Sequence, residues 1–132
     1  MKKLFLLICM LTTITIVQAE VIKLQATSFA YKYQNEYGYW MDWSEWEYTS
    51  ILIVINIDNN RINIYSKAPQ EYDIFDYKEN EYDKDGGETM TLRCIDADGL
   101  RCDVRLYMAR NGNRQLYVDY NDMIWVYNVI SK

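Results

Sequence analysis

Residues 90–108 read MTLRCIDADGLRCDVRLYM, and no other stretch restricts the fold as much. Met90, Leu92 and Cys94 hold even positions before Ala97-Asp98-Gly99, and Cys102, Val104, Leu106 and Met108 hold even positions after it. Side chains alternate between the two faces of a strand. Both apolar sets therefore reach one face only if the loop between them has an odd number of residues. A three-residue hairpin loop with glycine at its left-handed position meets that condition. The register that follows sets Cys94 opposite Cys102 and, on the other face, Arg93 opposite Asp103, where opposite charges support the pairing.

The same argument extends in both directions. Asn111-Gly112-Asn113 reads as another odd loop, placing Leu106 against Val118, Tyr107 against Tyr117 and Arg105 against Asp119. Asn121-Asp122 reads as a two-residue turn, after which Met123, Trp125, Tyr127 and Val129 continue the inner face. Upstream, Ile51, Ile53, Ile55 and Ile57 share a face, and Asn59-Asn60 reads as a type I′ turn that pairs Ile57 with Ile62, Ile55 with Ile64 and Asp58 with Arg61. Residues 72–77 and 27–33 add further strands, and no stretch keeps a helical period. The expected fold is all-β: an antiparallel up-and-down meander of seven to eight strands closing into a small barrel, which removes exposed edges. A barrel of about eight strands is either filled by side chains or able to hold one small ligand. The inner Ile, Leu, Val and Met favour a filled interior.

Met1-Lys2-Lys3, an apolar run from Leu4 to Val17 and then Val17-Gln18-Ala19 form the pattern of a secretory signal peptide over residues 1–19. The apolar run is shorter than the roughly 20 residues of a membrane span, so no span is expected in the mature chain. Bulky Ile8 before Cys9 disfavours a lipid-attachment site. Cleavage after Ala19 leaves a single domain, residues 20–132, and the loss of two lysines moves the formal charge from -5 to -7. The expected location is secreted or periplasmic. This acidic balance, without a Lys/Arg cluster, argues against nucleic acid. In an oxidising compartment Cys94 and Cys102 are expected to form a disulfide, at a pair position with the wider Cα spacing.

Enzymatic chemistry lacks parts. The chain has no histidine, which removes Ser-His-Asp, Cys-His and histidine-metal sites. A paired-carboxylate glycosidase would need a cleft for which so small a barrel leaves little room. The chain therefore reads as a non-enzyme that calls for no cofactor. Asp76, Glu79, Glu81, Asp83, Asp85 and Glu88 gather beside Gly86-Gly87. An EF-hand loop places glycine sixth, and counting from Asp83 the sixth residue is Glu88. A solvated acidic loop without a metal is expected, with an irregular calcium loop as the alternative.

The segment YWMDWSEWEYTS, residues 39–50, spaces Trp40, Trp43 and Trp46 three apart. On a helical turn the three would share a face. On a strand, Trp40 and Trp46 would face with Tyr48 and opposite to Trp43, with a bulge near Thr49-Ser50 restoring the phase of the isoleucines. Trp43-Ser44-Glu45-Trp46 echoes the Trp-Ser-x-Trp of cytokine receptors and thrombospondin repeats, whose cysteine frameworks are missing here. Gly38-Tyr39-Trp40 resembles the Gly-x-Trp that opens the first strand of lipocalins, small secreted calycin-like barrels. Their tryptophan packs across the closed end of an eight-stranded ligand-binding barrel. The arginine that family carries near its last strand has no counterpart in 124–132. The resemblance implies a small apolar ligand held inside.

Read from the residues alone, the tryptophans either close one barrel end or form an exposed platform for a protein or glycan partner. Tyr65, Tyr107 and Tyr117 on the outer face would enlarge such a platform. The candidate binding residues are Trp40, Trp43, Trp46, Tyr48, Tyr107 and Tyr117. The expected function is an exported, non-catalytic binding protein.

Overall fold

The computed structural model describes residues 20–132; the expected signal peptide, residues 1–19, lies outside them. Nine strands follow in order: β1 (Val21–Tyr33), β2 (Glu47–Asn56), β3 (Arg61–Ile64), β4 (Gln70–Tyr77), β5 (Glu81–Tyr82), β6 (Glu88–Asp96), β7 (Arg101–Met108), β8 (Arg114–Asp119) and β9 (Met123–Ser131). Each pairs antiparallel with its neighbour in sequence, except that β4 pairs with β6 and the two-residue β5 only flanks β6. Pairing of β1 with β9 closes the ring at eight strands. The fold is therefore the all-β antiparallel meander expected, closed into a barrel.

Alternation decides what fills it. Ile53, Ile55, Ile62, Ile64, Val104, Leu116 and Val118 are wholly buried and meet Leu24, Leu92 and Cys94 in one core. Lys23, Gln25, Glu71, Asp73, Arg93 and Asp103 point to the other face. An aliphatic interior under a charged exterior is the inverse of a transmembrane barrel, whose lipid face is apolar. No helix among the described residues is long and apolar enough to cross a membrane.

The phase survives three irregularities; in one, Ile74 faces Cys94 and Asp76 faces Arg93, so Phe75 of β4 is an extra residue against β6. Ala26 pairs with Ile51 and Ser28 with Tyr48, so Thr49 and Ser50 stand opposite Thr27 alone. This is the bulge expected near Thr49-Ser50. Against β9, Thr27 is itself the extra residue, since Ala26 faces Val129 and Ser28 faces Asn128. The side-chain parity of β1 flips there. Leu24 and Ala26 face inward before the bulge, whereas Phe29 packs inward after it and Ser28 and Ala30 turn outward.

Cys94 faces Cys102 and Arg93 faces Asp103, as the 90–108 hairpin predicts. Two other registers are displaced by two residues. Leu106 faces Leu116, Tyr107 faces Gln115 and Arg105 faces Tyr117, instead of Val118, Tyr117 and Asp119. The cause is the position of glycine in the loop. Gly112, at φ 94°, is the third loop residue after Ala109, whose N–H donates to the Asn113 carbonyl, as Asp96 N–H does to Leu100. The left-handed residue belongs last in such a loop, not in its middle. Arg105 still reaches Asp119 diagonally as an ion pair. In the isoleucine hairpin, Ile55 faces Ile62 and Ile53 faces Ile64, instead of Ile57 with Ile62 and Ile55 with Ile64. Only Asn60 adopts positive φ, at 53°, so a type I′ turn at Asn59-Asn60, which needs two such residues, does not form. Arg61 meets Asp73 across β3 and β4 at 3.1 Å rather than Asp58.

The expected disulfide is not formed: Cys94 and Cys102 are buried free thiols. Burial pushes the Cys94 thiol up to about 12 and Cys102 up to about 11. Both are then poor nucleophiles near neutral pH. Iodoacetamide at pH 8 is expected to leave the native protein unmodified and to label both cysteines once it is unfolded without reductant. A mass unchanged after unfolding would show a bridge instead. A second expectation concerns the turns: Gly99→Ala, at φ 83°, costs roughly 1–2 kcal/mol in denaturant unfolding, whereas Asn60→Gly is neutral or stabilising.

Candidate functional site

One end of the barrel carries the 65–69 connection, the Ala97-Asp98-Gly99 loop, the Asn121-Asp122 turn and the long 34–46 connection. Towards this end the inward side chains change from aliphatic to aromatic. Phe29 and Tyr31 of β1, Ile51 of β2 and Met123, Trp125 and Tyr127 of β9 surround a cleft of about 540 Å³, roofed by Tyr65 to Ala68. Its size lies within the range of small-molecule sites and its walls are mostly apolar. Phe29 and Tyr127 pack with ring centroids 6.3 Å apart, and Tyr120 stacks on Trp125 at 5.5 Å.

A polar chain holds the cleft floor. Gln70 Nε2 donates to the Tyr127 hydroxyl at 3.1 Å and to Ser66 Oγ at 3.2 Å, while Gln70 Oε1 accepts from the Tyr72 hydroxyl at 2.5 Å. The connection over the cleft is thereby tied to the barrel wall through one amide. Burial raises the pKa of Tyr127 and Tyr72, and burial together with donation to Asp96 raises that of Tyr120. All three phenols stay neutral at any ordinary pH, and Tyr127, the one of them that lines the cleft, suits an uncharged ligand. Nε1 of Trp125 is shielded from solvent; it lies close to the Tyr127 hydroxyl but without hydrogen-bond geometry, and has no partner among the described residues.

The expected binding residues, Trp40, Trp43, Trp46, Tyr48, Tyr107 and Tyr117, all lie elsewhere. Residues 41–46 are neither helix nor regular strand. They run beside the end of β1, with Met41 N–H donating to the Tyr33 carbonyl at 2.8 Å and Ser44 N–H to the Tyr31 carbonyl at 2.7 Å. Trp40, Trp43 and Trp46 therefore do not plug the barrel end and keep 41%, 42% and 48% of their surface exposed. The irregular path brings all three to the outer face. Lys32 Nζ lies 5.2 Å from the Trp40 ring and 4.8 Å from the Trp43 ring, and Trp43 and Trp46 share a small furrow with Tyr117 over Ala30 and Val126. Tyr48, opposite Ser28, is 97% exposed. Trp40, which carries the Gly-x-Trp resemblance, thus stands outside rather than across a closed end.

Tyr107 belongs to the opposite end. Its hydroxyl donates to Asp83 Oδ2 at 3.0 Å, while Asp83 Oδ1 accepts from Gly87 N–H at 2.7 Å and Asp85 N–H at 3.0 Å. The oxygens of Asp83 are thereby occupied within their own loop, and the described residues contain no cluster of three or more metal-ligating side chains. Asp96 repeats the device, with Oδ1 accepting from Asp98 and Leu100 N–H and Oδ2 from the Tyr120 hydroxyl at 2.6 Å. Alternation alone makes Trp125 and Tyr127 inner-face positions and does not distinguish a cleft wall from a filled core. The legible signal was their size and their place beside a turn.

Gly87 N–H foremost, then the Tyr107 hydroxyl, holds the Asp83 carboxyl below the usual range; the Tyr120 hydroxyl foremost does so for Asp96. A lowered native pKa contributes stability above the unfolded value and loses it as pH falls through the native one. The melting temperature is therefore expected to fall as pH drops below about 4, and Asp83→Asn with Asp96→Asn to flatten that fall while lowering stability at neutral pH. Comparison with protein-family models, with curated proteins and with solved structures finds no match in any of the three. The closed barrel is compatible with a calycin-like architecture.

Proposed function

We propose that the chain is an exported, non-catalytic binding protein whose end cleft takes a small, flat, uncharged apolar molecule, in the manner of a lipocalin-like barrel. The observation that carries this reading is the aromatic-walled cleft of about 540 Å³ at the barrel end. The wholly buried aliphatic side chains of the core favour a ligand seated at the end rather than deep within. The neutral Tyr127 phenol and the Gln70 amide line the floor, so hydrogen bonds there would orient a ligand without selecting a charge. Export, to a periplasm or beyond the cell, rests on the composition of residues 1–19, and the non-catalytic role on the lack of histidine.

The test uses a neutral naphthylamine dye whose emission rises in apolar surroundings. Ala68 is an exposed residue of the roof, so Ala68→Trp fills the cleft without disturbing the core. The dye is expected to bind the parent and to lose affinity at least about tenfold in Ala68→Trp at unchanged melting temperature. Equal dye emission in the two proteins would remove the cleft as the site.

A further inference from the structure

We infer that the furrow on the outer face of β8, β9 and β1, walled by Trp43 and Trp46, binds a linear uncharged oligosaccharide. Its floor is set by the register. Gln115 faces Asn128, which faces Ser28, and one step along Tyr117 faces Val126, which faces Ala30. The first row is hydrogen-bonded from side chain to side chain: Gln115 Nε2 donates to Asn128 Oδ1 at 3.0 Å and Asn128 Nδ2 to Ser28 Oγ at 2.9 Å. Tyr117 donates its hydroxyl to Gln115 Oε1 at 2.9 Å. These bonds fix both amides in place, yet each amide uses only one of its two N–H donors within the row. Over the second row, Ala30, Val126 and Tyr117, and reaching the first at Gln115, Trp43 and Trp46 enclose about 220 Å³.

A sugar ring presents an apolar C–H face and a rim of hydroxyls that both donate and accept. Indole rings match the face, and amides, which also donate and accept, match the rim. A protein partner would need a broad face of roughly 800 Å², with an apolar centre, whereas this furrow encloses only about 220 Å³ and carries the Gln115 amide with Ser44 and Tyr117 in its lining. The nearby cations are already engaged. Arg105 pairs with Asp119 and lies over Tyr117 at 4.2 Å, Lys32 sits against Trp40 and Trp43, and Arg114 donates to Ser131 Oγ at 2.6 Å. An uncharged ligand follows. Beyond Gln115 the furrow meets a second, more polar hollow of about 700 Å³ that includes Thr27, Asn113 and Asn128. This continuity points to a chain of several sugars rather than one.

The test titrates the protein with cello-, chito-, malto- and manno-oligosaccharides, from the monosaccharide to the hexasaccharide, by calorimetry. At least one series is expected to bind, with affinity rising with chain length. Trp46→Ala and Gln115→Ala are expected to weaken it about tenfold or more, Trp46→Tyr to retain most of it, and Ala68→Trp, which alters only the end cleft, to leave it unchanged. Melting temperatures confirm that each variant is folded. The inference is overturned if no series binds at millimolar concentration, if Trp46→Ala binds like the parent, or if Ala68→Trp abolishes binding.

Discussion

Parity governs this barrel. A residue in a strand faces either the dry centre or water, and a turn that miscounts by one would exchange the two sets across a whole strand. Every connection in the ring keeps the count. The Ala97-Asp98-Gly99 loop lets Cys94 and Cys102 face each other, and the Asn121-Asp122 turn sets Val118 against Trp125. The count slips at Phe75 on β4, and at Thr27 and Thr49-Ser50, where β1, β2 and β9 meet. The inner positions beyond that point belong to Phe29 and Tyr127 rather than to aliphatic side chains, so the cleft begins where the regular barrel ends.

This explains what the sequence discloses and what it conceals. Face assignments were legible because they depend on odd or even spacing alone. The hairpins around Asn59-Asn60 and Asn111-Gly112 each shift by two residues, yet Ile62, Ile64, Leu116 and Val118 remain buried because a shift of two preserves the face. Register was less legible, since it turns on which loop residue adopts positive φ. Arg105 and Asp119 illustrate how charge complementarity misleads here: a long guanidinium reaches a diagonal carboxylate as readily as a direct one, so their pairing did not select between the two registers.

The tryptophan segment shows a different limit. Neither a period of 3.6 nor a period of two describes residues 40–46, because their hydrogen bonds to β1 come from Met41 and Ser44 with irregular backbone between. Trp40, Trp43 and Trp46 reach one face by irregularity, which no periodic argument contains. The 34–46 connection nevertheless begins as a continuation of the barrel, with an isolated bridge between Gln34 and Trp40 and a turn closed by Asn35. The aromatic face and the end cleft are thus built on the two sides of the same β1 and β9 wall.

That wall is also the seam of the ring. β1 and β9 are the first and last strands described, and their contact joins residues about a hundred positions apart, as Thr27 and Asn128 do. Neighbouring hairpins can form early, but the seam must await β9, and the loop entropy it overcomes is the largest among the described strand pairs. Until it closes, β1 and β9 each present an open edge with apolar residues beside it. Removing β9 would leave β1 and β8 permanently unpaired, converting a ring that resists self-association into an open sheet that invites it.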